Sequence, residues 1–178
     1  MPIKTIARWA VYIALFTVPF VPLYVANELF FPFITGKGFA FRILVEIALA
    51  GYVLLALIDT RYRPRFSWTL VFYGALVLWM VFANALAMNP HKAFWSNFER
   101  MDGFVTLVHV FAFFMVLGSV MTVDKLWRKW WLFYLSGAAF ICIYSLFQLA
   151  GMADIHQGSS RVDATIGNAA YLAVYMLF

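Results

Sequence analysis

The sequence predicts an all-α, polytopic helical membrane protein, and three observations carry that expectation. Of its 178 residues, 65% are hydrophobic and 12% are charged, whereas a soluble domain holds about 45–50% apolar and about 25% charged residues. Mean hydropathy is +0.86, so water is not the chain's only solvent. Twenty Phe, nine Tyr and seven Trp suit rings gathered at a lipid–water boundary.

About 20 apolar residues are needed to cross the hydrocarbon core. The first such run covers 9–25, where Pro19 and Pro22 should kink or unwind the far end. The opening MPIKTIARWAVYIALFTVPF has the basic start and apolar centre of a signal peptide. No small-x-small cleavage site follows, however, and VPLYVANELFF continues apolar, so a retained span is expected. Further spans are expected at 39–58, 68–88, 104–121 and 130–150. A sixth begins near Ala169 and has only about ten residues before Phe178. Those supply roughly 15 Å of helix against a core of about 30 Å. The expectation is therefore five complete transmembrane helices plus the start of a sixth, with 1–178 the N-terminal part of a single, longer transmembrane domain.

Lys and Arg in the short connections set orientation. With the N-terminus inside, Lys4, Arg8, Arg61, Arg63, Arg65, Lys125, Arg128 and Lys129 are cytoplasmic, against Lys37, Lys92, Arg100 and Arg161 on the opposite side. This bias predicts a cytoplasmic N-terminus and three outer connections, at 27–38, 89–103 and 151–168. The net charge of +5 follows from the same anchors and not from a nucleic-acid surface, since no basic, aromatic-interleaved polar segment exists. The single cysteine, Cys142, lies in an apolar run and has no partner for an internal disulfide or a metal cluster. No HExxH, CxxC or phosphate-loop pattern occurs, so neither a metal nor a cofactor is expected.

Candidate chemistry lies in a few polar residues. Arg42 and Glu46 stand four apart, on one helix face. Ionisable groups inside a span turn to the bundle interior or a water-filled cavity. The two either neutralise one another, or Arg42 faces an outer cavity and holds an anion with Glu46 orienting it; the Arg42 head also has the length to rise towards Lys37. His109, two turns into the 104–121 span, is expected to make an interhelical hydrogen bond, while His91 and His156 lack ligand spacing. On the outer side, FWSNFERMDG (94–103) mixes aromatics with charge, a texture that fits an interfacial segment. In RVDATIGNAAYLAVY, Gly167 or Asn168 is expected to cap the next helix, with free N–H groups aimed at the outer cavity. Arg100 and Arg161 are the phosphate candidates, because a planar guanidinium clasps two phosphate oxygens. Asp102 with Gly103 is expected to start the helix at 104.

FWSNFERMDGFVTLVH resembles the segment that bacterial O-antigen ligases and related Wzy-type polymerases carry between two early spans. RVDATIGNAAYLAVY resembles a later element of the same family, and GKGFAFRILVEI its second-span opening, so the likeness touches three places in the expected order. The resemblance implies about a dozen spans in the bacterial inner membrane. It also implies metal-independent transfer of a glycan from an undecaprenyl-pyrophosphate carrier to a lipid A-core, glycan or protein acceptor on the periplasmic face, as in lipopolysaccharide biosynthesis. Carried over by residue, it implies carrier contacts from Arg100, Arg161, Arg42 and Lys37. Glu99 would position an arginine or line the site, and Asn168 would cap the sixth helix. GNAAYLA departs from the family where many relatives have Pro and Asn after the Gly-Asn. The family's large catalytic loop, with a further arginine and a histidine, is absent from 1–178, so this portion alone is expected to be inactive. Two other classes fit the composition: a transporter or flippase of lipid-linked saccharides, which would spread charge along several spans and repeat between halves, and a non-enzymatic membrane scaffold.

Overall fold

The computed structural model describes residues 2–97, 100–156 and 161–177. Among them the regular structure is entirely helical, with no strand. Helix α1 (Pro2–Thr17) passes directly into a 3-10 helix, Val18–Leu23. The change of pitch falls at the prolines. Pro19 and Pro22 have no N–H, so the carbonyls four residues earlier, at Leu15 and Val18, lose their α-helical donors.

Helix α2 (Thr35–Ile58) begins four residues before the expected 39, because the polar turn holding Gly36 and Lys37 is itself helical. Helix α3 spans Trp68–Ala85, α4 is the short Pro90–Trp95, and α5 spans Phe104–Val120. Helix α6 (Asp124–Leu149) starts six residues before 130. Its first turns, DKLWRK, are polar but helical, and Asp124 suits the positive end of the helix dipole. Helix α7 covers Ala169–Met176. Four segments are long and apolar enough to cross a membrane: Pro2–Leu23, α2, α3 and α6. Helix α5 is apolar but only 17 residues long, about 25 Å. By length and composition, four of the five complete spans expected are therefore found.

Helices α1, α2 and α5 pack side by side, with α3 outside α5 and α6 against the 3-10 helix. Val11 and Leu15 of α1, Ala48 and Leu55 of α2, Val116 and Val120 of α5, and Trp130 of α6 form the main core. Small residues set the spacing. A Cβ on Gly51 would stand 2.9 Å from Val11 Cγ2 and 3.0 Å from the Ala7 carbonyl oxygen, and one on Gly137 would stand 2.8 Å from the Pro19 carbonyl oxygen. Trp130 donates its indole N–H to the Leu15 carbonyl at 3.1 Å, supplying the donor that Pro19 cannot. Helix α3 buries no residue and exposes Trp68, Phe72, Trp79 and Phe82, which fits a helix face solvated by lipid.

The two ends of the bundle differ. At one, Asp59 accepts from Lys4 Nζ at 2.7 Å and from Arg61 Nη2 at 2.9 Å, clamping the start of α1 to the end of α2. Hydrogen bonds from the Arg61 side chain first, then from Lys4 and the Arg61 backbone, hold the Asp59 carboxyl far below the usual carboxylate range. At the other end, Phe33 and Ile34, Arg100 and Asp102, and His156 and Ile166 come together around the start of α2.

Candidate functional site

The loop-rich end is organised around the Phe33 ring. Gly167 lies directly over it in the left-handed region (φ 72°), where a Cβ would overlap the ring. The His156 ring packs against it with centroids 4.7 Å apart, and the Lys37 ammonium lies 5.7 Å from the ring centre. Lys37 donates to the Phe33 carbonyl at 2.9 Å and to the Thr165 carbonyl at 2.5 Å. Thr165 in turn donates its hydroxyl to the Pro22 carbonyl at 2.9 Å, a second oxygen at the proline-broken end of the first span. One ammonium and one hydroxyl thus tie α2, the Ala164–Ile166 turn and the 3-10 helix into a single floor.

Two adjoining hollows, of about 140 and 310 Å³, open on this floor and share Phe33, Ile34, Arg100, Ile166 and Tyr171. Lys37 and Asp102 line the larger and Asn168 the smaller. The exposed Arg100 guanidinium stands 5.1 Å from the centre of the Phe31 ring. Two of the sequence-predicted cations, Lys37 and Arg100, therefore face one cleft, with the Asp102 carboxylate on its wall. Gly103, not Asp102, is the residue that precedes α5, and no side chain caps that helix. Asn168 Oδ1 accepts from the backbone N–H of Ala170 at 2.8 Å and of Tyr171 at 3.3 Å. The cap expected at Asn168 is present, but it satisfies these two first-turn donors of α7 internally, so they are not the free N–H groups the sequence led one to expect.

The structure does not gather all the predicted residues. Arg161 lines a separate hollow on a different face of α7, with Leu149, Ala169 and Leu172. Glu99 lies outside the described residues. Arg42 sits beneath the cleft, 6% exposed: Nη2 donates to the Met101 carbonyl, the guanidinium stacks 5.4 Å from the Phe39 ring, and Nε has no partner. Glu46 does not pair with it. Its Oε1 lies 3.2 Å from His109 Nε2, while His109 Nδ1 lies 2.7 Å from the Val105 carbonyl. The expected interhelical bond of His109 is thus made to Glu46, between α2 and α5.

The most completely bonded polar cluster was not anticipated. Asp163 is fully buried and accepts from Gln148 Nε2 at 2.8 Å and from the His156 backbone N–H at 3.0 Å. Gln148 Oε1 accepts from the N–H groups of Asp163 and Ala164, at 3.2 and 2.7 Å. A lone amide near the end of an apolar helix was the available signal, by the reasoning applied to His109. The cluster fixes the loop that carries Thr165 and Gly167 into the cleft. Among the described residues, no three His, Cys, Asp or Glu side chains converge as a metal site would require.

Fold and site together define an all-α protein with membrane-length helices and a partly cationic cleft at one end of the bundle. No family model, curated protein or solved structure matches the chain.

Proposed function

We propose that this chain is the donor-binding N-terminal part of a membrane glycosyltransferase of the O-antigen ligase type, taking its glycan from an undecaprenyl-pyrophosphate carrier. In this reading α5 also crosses the membrane, as the fourth of five complete spans, and α7 opens a sixth. The N-terminus is cytoplasmic, as the Lys and Arg bias suggests, and the cleft faces the periplasm across the inner membrane. The observation that carries the proposal is the meeting of Arg100 and Lys37 in one cleft, from segments far apart in sequence. Among the described residues, their two positive charges outnumber the one carboxylate there, Asp102, leaving the cleft suited to an anion. Arg100 offers a planar fork to the phosphate oxygens, and the Lys37 ammonium keeps one N–H beyond its two carbonyl bonds.

The chemistry follows from charge. When the acceptor oxygen attacks the sugar's anomeric carbon, the bond to the pyrophosphate oxygen breaks and its electron pair leaves with the carrier. Negative charge grows on the pyrophosphate, and fixed cations there stabilise the transition state more than the ground state. Arg42, beneath the cleft, adds charge at longer range, and Arg161 serves the loop outside it. The acceptor is a lipid A-core, a glycan or a protein hydroxyl.

The test is donor binding by this chain, and transfer by the full-length protein, in proteoliposomes containing a polyprenyl-pyrophosphate-linked glycan. Arg100→Ala should weaken donor binding at least about tenfold, the scale of a charge-assisted hydrogen bond, and Arg100→Lys should recover part of it. Glycan appearing on the acceptor with release of carrier pyrophosphate marks a transferase. Labelled donor crossing the bilayer intact would mark a flippase instead, and unchanged binding by Arg100→Ala would remove the basis of the proposal.

A further inference from the structure

A further hollow, of about 720 Å³, shares no lining residue with the cleft and lies between Phe39 in the second turn of α2, helix α4, and Ser96, Asn97 and Met101. Its floor is apolar, formed by Phe39, Trp95 and Met101, and its rim carries His91, Lys92 and Asn97. Its depth is fixed by its neighbours. Phe39 is about 6 Å along α2 from Thr35, and α4 docks on the first turn of α5, with the Phe94 and Phe104 rings 6.0 Å apart. A Cβ on Gly103 would meet the Phe94 carbonyl and the Ser96 backbone nitrogen, so this docking is close. The groove therefore sits at the level where the helices begin, the depth of lipid headgroups and upper acyl chains.

Among the described residues, its charge is one-sided, for none of those lining it is acidic. Lys92 is exposed, and its ammonium has no hydrogen bond or ion pair among the described residues. Behind the floor lies Arg42, more than nine-tenths buried, stacked on Phe39 and bonded to the carbonyl of Met101. Its Nε lacks a partner, and no carboxylate lies within ion-pair distance of it among the described residues. Asp102 and Glu46 act on it only from beyond ion-pair distance, so an anion in the groove in front of it further offsets the cost of burying its charge. An apolar floor under a cationic rim fits an amphiphile with an anionic head, and it fits free phosphate poorly.

We propose that this groove binds one anionic glycerophospholipid of the phosphatidylglycerol type. An acyl chain lies along Phe39 and Trp95, and the phosphate lies against Lys92, with the Asn97 amide as a further donor. The site is distinct from the Arg100 cleft and does not depend on the glycosyltransferase reading.

The chain is purified in mild detergent and its retained lipids are counted by native mass spectrometry after exposure to phosphatidylglycerol or phosphatidylcholine of the same acyl composition. One phosphatidylglycerol should be retained in preference to phosphatidylcholine. Lys92→Gln should lower that preference about fivefold, the scale of one Lys at an anionic surface, Lys92→Arg should keep it, and Arg100→Ala should leave it unchanged. In vesicles, brominated phosphatidylglycerol should quench a fluorescence component that Trp95→Phe removes. Equal retention of the two lipids, an unaffected Lys92→Gln variant or quenching indifferent to Trp95 would each overturn the proposal. So would displacement of the bound lipid by an equimolar polyprenyl phosphate, which would make the groove a carrier site.

Discussion

Gln148 and Asp163 hold one another through two hydrogen bonds: the Gln148 amide donates to Asp163 Oδ1 at 2.8 Å, and the Asp163 backbone N–H donates back to Gln148 Oε1 at 3.2 Å. The pair fastens the end of α6 to the loop that delivers Thr165 and Gly167 to the cleft. A fully buried carboxylate persists only when its lone pairs are met. Gln148→Leu removes one donor from that carboxylate and strands the N–H groups of Asp163 and Ala164. The expected cost is at least about 3 kcal/mol, read as a large fall in the detergent unfolding midpoint. Asp163→Asn, which neutralises the charge and keeps an acceptor, should cost less than Gln148→Leu. The reverse order would mean that the Asp163 charge itself, more than the Gln148 hydrogen bonds, holds the cluster together.

Gly167 is where the backbone leaves no alternative. An alanine there incurs about 1–2 kcal/mol for the left-handed conformation, and its methyl overlaps the Phe33 ring. Gly167→Ala should therefore destabilise the chain by more than the conformational term alone. Combining it with Phe33→Ala should recover the steric part and leave the conformational part. Simple additivity of the two substitutions, measured by thermal unfolding, would show that the ring and the glycine are not in conflict.

The Trp130–Leu15 bond yields a second prediction of coupled substitutions. The Leu15 carbonyl takes the Trp130 indole at 3.1 Å in a place where Pro19 offers no backbone donor. Trp130→Phe should cost about 1 kcal/mol for the lost bond, beyond its packing loss. In a Pro19→Ala background the alanine N–H is available to the same carbonyl, so Trp130→Phe should cost less there. Equal costs in both backgrounds would show that the carbonyl is satisfied by other means.

Legibility in the sequence follows the range of the interaction. Pro19 and Pro22 announced the end of α1 because the missing N–H is a covalent property of the residue, and Asn168 announced the start of α7 because its side chain bonds N–H groups only two and three residues on. Arg42 and Glu46 looked like a pair by their spacing, yet Glu46 bonds His109, 63 residues away, and Arg42 bonds Met101, 59 residues away. Lys37 was legible as a cation near the outer surface but not as a tie to Thr165, 128 residues distant. Phe33 was invisible as the centre of the cleft, being one of twenty Phe in the chain. Its importance comes from Gly167, His156 and Lys37, which only the fold brings to it. Arg100 and Asp102 were singled out by their local charge cluster, but nothing local placed them beside Lys37 and Phe33 in one cleft.

The clamp at the opposite end of the bundle predicts an acid dependence. Bonds from Arg61 and Lys4 hold the folded-state Asp59 carboxyl far below the usual value, which is about 3.9 in an unfolded chain. A depressed carboxyl contributes stability that is fully present above its unfolded value and is lost as pH falls towards the folded one. Unfolding midpoints in a nonionic detergent should therefore decline as pH is lowered from about 4 to about 2. Asp59→Asn should lower the midpoint at neutral pH and flatten that acid decline. Arg61 is mostly exposed, at 80% for its side chain, whereas Lys4, at 32%, bridges to the other helix. Lys4→Met should consequently reproduce more of the loss than Arg61→Met, since only Lys4 joins α1 to α2. An acid limb with the same slope in the wild-type chain and in Asp59→Asn would assign the decline to other carboxylates.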